Sequence, residues 1–110
     1  MKISELAQAI GAEIVTETYN DAEIVSGYTS DLLSDVMGNA EEESVLITIQ
    51  AHKNSVAVAS QLDFSGIIVC NNRKIPDDMK AAAESEGIAI LRTDENQFAT
   101  SYRVYTALFS

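Results

Sequence analysis

In the stretch Gly27–Met37, GYTSDLLSDVM, two aspartates stand four residues apart behind a Thr-Ser pair. One helical turn would place Asp31 and Asp35 on one face, where a hard cation could bridge them. Metal sites ordinarily draw three or more protein ligands, and no His, Cys or acidic cluster nearby completes such a set. No metal is therefore expected. The residues fit a structural task better: Ser30 or Asp31 caps a helix, Leu32, Leu33 and Val36 face inward, and Asp35 stays in water. A cap at a strand-to-helix junction can also line a ligand site, so Ser30 and Asp31 remain binding candidates.

His52, the single histidine, lies in IQAHKN just past the apolar run VLITI at 45–49. Acid–base or nucleophilic work needs an oriented partner, and none stands near it in sequence. Cys70 ends another apolar run and reads as a small buried hydrophobe. Neither a GxxxxGK[ST] cradle nor a GxGxxG turn occurs, so phosphoryl transfer lacks its positioning loop. The chain is expected to be no enzyme and to carry no cofactor. A different pattern is more informative. Of seven Lys and Arg, four (Lys53, Arg73, Lys74 and Arg92) fall at or just after the ends of three apolar runs. Gln50, Asn71, Asn72 and Thr93 share those positions. If the runs are parallel strands, their C-terminal edge is where open sheets bind ligands and where helix starts offer free N–H groups to anions.

The elements that would position these residues are legible. VLITI (45–49), GIIVC (66–70) and IAIL (88–91) are short, rich in Val and Ile, and do not alternate with polar residues, as expected of strands covered on both faces. Between them, NSVAVASQLD reads as a helix capped by Asn54 or Ser55, with Val56, Ala59 and Leu62 inward. IPDDMKAAAESEG reads as another, with Pro76 in its first turn and Gly87 as its stop. The result is a parallel βαβαβ unit. Upstream, SELAQAIG is a short helix capped by Ser4, with Leu6, Ala9 and Ile10 inward and Gly11 closing it. AEIVT (12–16) and AEIVSGY (22–28) are strands, and the helix of the opening stretch runs to about Gly38–Asn39. The last segment opens with a capping box of Asp94 and Gln97 and carries Phe98, Tyr102, Tyr105 and Phe109 at helical spacing. Four of the seven aromatic residues lie on that stripe, which needs cover from this domain's own sheet or from a second subunit.

A chain of 110 residues is one domain, 1–110, and 46% hydrophobic with 22% charged residues fits a globular fold. The net charge of −10 argues against nucleic acid and anionic membranes as partners. One cysteine, no continuous apolar core in the first residues and no run near the ~20 residues of a membrane span point to the cytoplasm.

The order of elements, with YTSDLLSDVM, ITIQAHKNSVAVASQLDFSGIIVCNN and the closing GIAILRT, resembles the DRTGG domain family over nearly the whole chain. It is closest to small stand-alone members that carry SDLLSDV and ITxQxHxNxVAVA. DRTGG domains are similar in fold to the N-terminal domain of HPr kinase/phosphorylase and accompany CBS domains in regulated pyrophosphatases. The resemblance implies an α/β regulatory or assembly module that tends to dimerise, for which a partner enzyme is a candidate. Where the family has Asp-Arg this chain reads Gln50-Ala51-His52, and for Thr-Gly-Gly it reads Cys70-Asn71-Asn72.

Together these readings predict a small three-layer α/β domain whose mixed, partly parallel sheet is flanked by helices. They predict a homodimer that senses a small anionic ligand, a nucleotide or a phosphate or carboxylate. The binding candidates are Ser30, Asp31, Gln50, His52, Lys53, Asn71, Asn72, Arg73 and Thr93. The interface candidates are Phe98, Tyr102, Tyr105 and Phe109. An interaction or scaffold subunit without a ligand is the alternative.

Overall fold

The three apolar runs form neighbouring strands of one sheet. A computed structural model describes all 110 residues. In chain order the elements are α1 (Ile3–Ile10), β1 (Glu13–Ile14), β2 (Ser26–Thr29), α2 (Leu33–Asn39), β3 (Ser44–Thr48), α3 (Lys53–Gln61), β4 (Gly66–Val69), α4 (Asp77–Glu86), β5 (Ala89–Arg92) and α5 (Gln97–Phe109). The sheet runs β1-β5-β4-β3-β2. β2, β3, β4 and β5 are parallel, with Leu46 beside Ile67 and Ile67 beside Ile90; only β1 is antiparallel, against β5. The parallel unit therefore reaches one strand further back than the expected βαβαβ.

Every crossover steps to the next strand in one direction, so α2, α3 and α4 share one face of the sheet. Val36, Val56, Ala59, Met79 and Ala83 from those helices pack there against Leu46, Ile67, Val69 and Ile90. The opposite face is covered by helices that are not crossovers. Ile3, Leu6, Ala7 and Ile10 of α1 and Val104 of α5 close over Val45, Ile47, Ile68, Ala89 and Leu91. Successive strand residues enter opposite layers, and both layers are apolar. That is why the strands show no polar alternation.

Several local expectations are corrected. Ser4 lies inside α1 and its hydroxyl donates to Asp21 Oδ2 at 2.6 Å, while Lys2 occupies the cap position. That hydrogen bond, with the one from the Ser4 N–H, holds the Asp21 carboxyl below its ordinary range. Ala9 faces solvent, because Ile3 and Ala7 complete the inward face instead. The second strand begins at Ser26, not Ala22, since residues 22–24 bond to the first residues of the chain: Ile3 N–H to Ala22 O and Ile24 N–H to Met1 O. Asn54 and Ser55 lie within α3, and His52 caps it. Leu62 follows α3 and is half-buried against the core. Pro76 sits at the cap position, one residue before α4. Gly11 and Gly87 close their helices in the left-handed conformation, at φ of 69° and 73°, as expected.

The stripe on α5 is also corrected. The face turned to the sheet is Thr100 and Val104, with Ala107 and Leu108 partly covered. Phe98, Tyr102, Tyr105 and Phe109 are 86, 70, 67 and 55% exposed. The domain's own sheet does not cover them.

Gly66 shows how closely α1 sits on the sheet. A Cβ there would lie 2.7 Å from Ile3 Cδ1 and 3.2 Å from the Ala89 carbonyl oxygen. Ile3 is fully buried and has nowhere to move. Gly66→Ala should therefore lower the urea midpoint, by about 1–3 kcal/mol of unfolding free energy, with the slope unchanged.

Candidate functional site

Because four strands are parallel, their C-terminal ends meet at one rim. Four loops line it: 30–32 after β2, 49–52 after β3, 70–76 after β4 and 93–96 after β5. Asp31 ties two of them to the start of α5. Its Oδ1 accepts from the Thr48 hydroxyl at 2.8 Å, the Ile49 N–H at 2.9 Å and the Gln97 amide at 3.1 Å. Its backbone carbonyl accepts from Gln50 Nε2 at 3.1 Å. The expectation that Asp31 caps the following helix is overturned: α2 starts two residues later, with Leu32 at the cap position and no side-chain cap. Ser30 Oγ accepts from the Leu32 N–H at 3.1 Å, which turns the chain before the helix. Leu32 itself points to solvent at 64% exposure, so it does not join Leu33 and Val36 on the inward side.

Asp35 is not simply wet. It accepts from the Tyr28 hydroxyl at 2.8 Å and from Asn39 Nδ2 at 3.1 Å, and the Tyr28 bond pushes that hydroxyl above its usual range. Asp31 and Asp35 thus serve different partners. No group of three or more His, Cys, Asp or Glu side chains is placed to hold a metal ion.

His52 Nδ1 accepts from the Asn54 N–H at 3.0 Å. The ring is exposed and does the work that an Asn or Ser cap does elsewhere. Ser55, buried beside it, donates to the Gln50 carbonyl at 2.8 Å and so fixes the β3–α3 loop. Asn71 and Asn72 are both left-handed, at φ of 62° and 52°, which makes the chain reverse directly after Cys70. Asparagine is one of the few side chains that tolerates this conformation, otherwise the province of glycine. Their N–H groups donate across the rim to Glu95 O (2.9 Å) and Thr93 O (2.8 Å). Asn72 Oδ1 also accepts from Arg92 Nε and Nη2 at 3.1 and 2.8 Å, so the guanidinium is held over the β4–β5 boundary.

Lys53, Arg73 and Lys74 are exposed at this rim, and Arg92 is half-exposed. None of the four takes part in an ion pair; the three present join Met1 to Glu23, Lys80 to Glu17 and Arg103 to Glu95. Thr93 is buried, and its hydroxyl accepts from the Glu95 N–H. Cys70 lies under the rim. Burial pushes its thiol up, and its Sγ lies 3.5 Å from Thr100 Oγ1. It is held as a neutral buried group.

The rim is open rather than a cleft. None of the four surface cavities is lined by Asp31, Gln50, His52, Asn71, Asn72 or Arg73. Lys53 lines one between α3 and α4. Two others flank the exposed stripe of α5 on its β2 side. Sequence reasoning missed Thr48 and Gln97 as Asp31 partners. The Asp94–Gln97 capping box does not form, because Asn96 caps α5 by accepting from the Ala99 N–H at 2.9 Å. Gln97 is thereby free to reach Asp31.

A solved structure of similar fold is known. It is the crystal structure of the CBS and DRTGG domains of the regulatory region of Clostridium perfringens pyrophosphatase, complexed with the activator diadenosine tetraphosphate. It matches with a TM-score of 0.67 and 16% sequence identity over 93% of this chain. The chain has a DRTGG-like fold. It spans 45% of that neighbour's length. No protein-family model and no curated protein matches the sequence. No helix of this DRTGG-like domain is long and apolar enough to cross a membrane.

The node at Asp31 is testable by itself. Asp31→Ala leaves the half-buried Ile49 N–H and the buried Thr48 hydroxyl without their acceptor. It should cost about 1–3 kcal/mol by denaturant unfolding. Asp31→Asn, which keeps one carbonyl oxygen, should cost less.

Proposed function

We propose that this DRTGG-like domain is a non-catalytic, cytoplasmic regulatory module that binds a small anionic ligand at the C-terminal rim of its parallel strands. The observation that carries this reading is the placement of charge. A molecule of net charge −10 gathers Lys53, Arg73, Lys74 and Arg92 at one edge and leaves all four without an acidic partner. That edge is where open parallel sheets bind ligands.

Nucleotides, phosphates and carboxylates fit such a surface. The neighbour's regulatory region holds a nucleotide activator, which supports the same class here. Arg92, already oriented by Asn72, supplies a fork suited to phosphate or carboxylate oxygens. Ser30, Gln50, His52 and Asn71 offer hydrogen bonds around it, while Asp31 and Thr93 hold the loops in place. The module works as a homodimer and passes its ligand state to a partner enzyme, which supplies the turnover that this domain lacks.

A second reading, an assembly subunit with an empty rim, is favoured by the exposed aromatic stripe on α5. Ligand binding separates the two. In a thermal-shift series with nucleotides, phosphate and carboxylates, a ligand at about tenfold its Kd should stabilise by about 1.4 kcal/mol. In a domain of this size that raises Tm by about 5–10 °C. Lys53→Ala and Arg73→Ala should each reduce the shift. If millimolar anions leave Tm unchanged, the ligand-sensing reading falls and the assembly reading stands.

A further inference from the structure

The exposed stripe on α5 reads Phe98, Tyr102, Tyr105, Phe109, and both its spacing and its residue types are the same from either end. A twofold axis crossing the helix between Tyr102 and Tyr105 would set each Phe98 against Phe109 of the other copy. Each Tyr102 would face the other copy's Tyr105. Isologous interfaces require this kind of self-complementary patch. We propose that two copies of this chain associate by packing α5 antiparallel on α5 about such an axis. The proposal deepens the homodimer reading above and rests on it, by naming the surface and its geometry.

Three independent observations favour a second copy as the occupant. The first is charge. The chain carries 17 acidic residues, yet none lies in α5, and its one cation, Arg103, is paired with Glu95. Two copies of an acidic molecule can meet here without opposing carboxylates. The second is area. Four rings exposed by 55–86% present about 500 Å² of apolar-rich surface, against about 800 Å² per partner in a stable interface. The β2 edge beside them can supply the remainder. Tyr105 and Phe109 already stand as a tilted pair, with ring centroids 4.9 Å apart.

The third is Gly27. Beside the stripe, a cavity of about 250 Å³ lies between α5 and the edge strand β2, lined by Gly27, Ile47, Val104, Tyr105, Leu108 and Phe109 among others. Gly27 is not in the left-handed region, and a Cβ there would make only ordinary contacts of 3.5–3.8 Å with Val104, Val45 and Ile47. Nothing in this chain's own folding calls for glycine at that position. One role of a glycine inside a strand is to let another backbone or a ligand approach closely. In the antiparallel pair, Phe98 of the second copy stands beside Phe109, over the mouth of this groove.

Sedimentation equilibrium over the micromolar range tests the seam. The unmodified chain should be a dimer, and Tyr102→Glu should weaken association about 100-fold or more. Gly27→Ala should weaken it about tenfold while leaving the monomer at least as heat-stable, because alanine fits a strand better than glycine. Orientation is read by oxidative cross-linking in a Cys70→Ala background. A mixture of the Phe98→Cys and Phe109→Cys chains should link with each other far more than either links with itself. A monomeric unmodified chain overturns both the homodimer reading and this seam. A dimer indifferent to Tyr102→Glu, or one in which each cysteine chain links to itself, overturns the seam alone. The thermal-shift result at the rim bears on neither.

Discussion

A sheet wound in one direction can cover only one of its own faces. From β2 to β5 each crossover steps to the adjacent strand, and the handedness of βαβ units sends α2, α3 and α4 to the same side. The other side of the apolar strands β3, β4 and β5 would stand in water unless something else closed it. The two ends of the chain do so, as α1 and α5. Much of what distinguishes this molecule follows from that division. One layer is built by connections the topology makes anyway, and the other by two helices that the topology leaves free.

α1 meets its task through close approach. Ile3, Leu6, Ala7 and Ile10 are all buried, and Ile3 comes so near to β4 that residue 66 has no room for a side chain. α5 meets it differently. It turns the small and branched Thr100 and Val104 inward and carries its large rings outward. A helix apolar on two sides of its circumference has one face for its own core and one for something else.

The rim depends on the same winding. Parallel strands finish at one edge, so loops distant in sequence become neighbours and must be held in register. Asp31 does this with one carboxylate oxygen that joins the end of β3 to the start of α5. Asn71 and Asn72 do it with backbone N–H groups bonded to the loop after β5. α5 is thus tied at its first residue to the rim and presents its rings along the rest of its length. The ligand edge and the self-association surface of the proposed module are joined through one helix.

The regularities of the sequence that are local carried through to the structure. Three unalternating Val/Ile runs determined parallel strands buried on both faces, glycines at 11 and 87 determined helix ends, and the positions of Lys53, Arg73, Lys74 and Arg92 determined a shared edge once the strands were parallel. Those features arise from hydrophobic period and backbone conformation, which act within a few residues. What the tertiary structure decided was which of several equally good local partners each polar group takes. Asp31 has the composition of a cap, yet a hydroxyl, an N–H and an amide from two other elements meet its carboxylate. Asp94 and Gln97 have the spacing of a capping box, yet Asn96 lies nearer the helix start and Gln97 turns to Asp31. The stripe on α5 has the spacing of a core face, yet the sheet takes Thr100 and Val104, with Ala107 and Leu108 partly covered beside them. Helical periodicity can show that a helix has an apolar face; it takes the position of the sheet to say which face is turned inward.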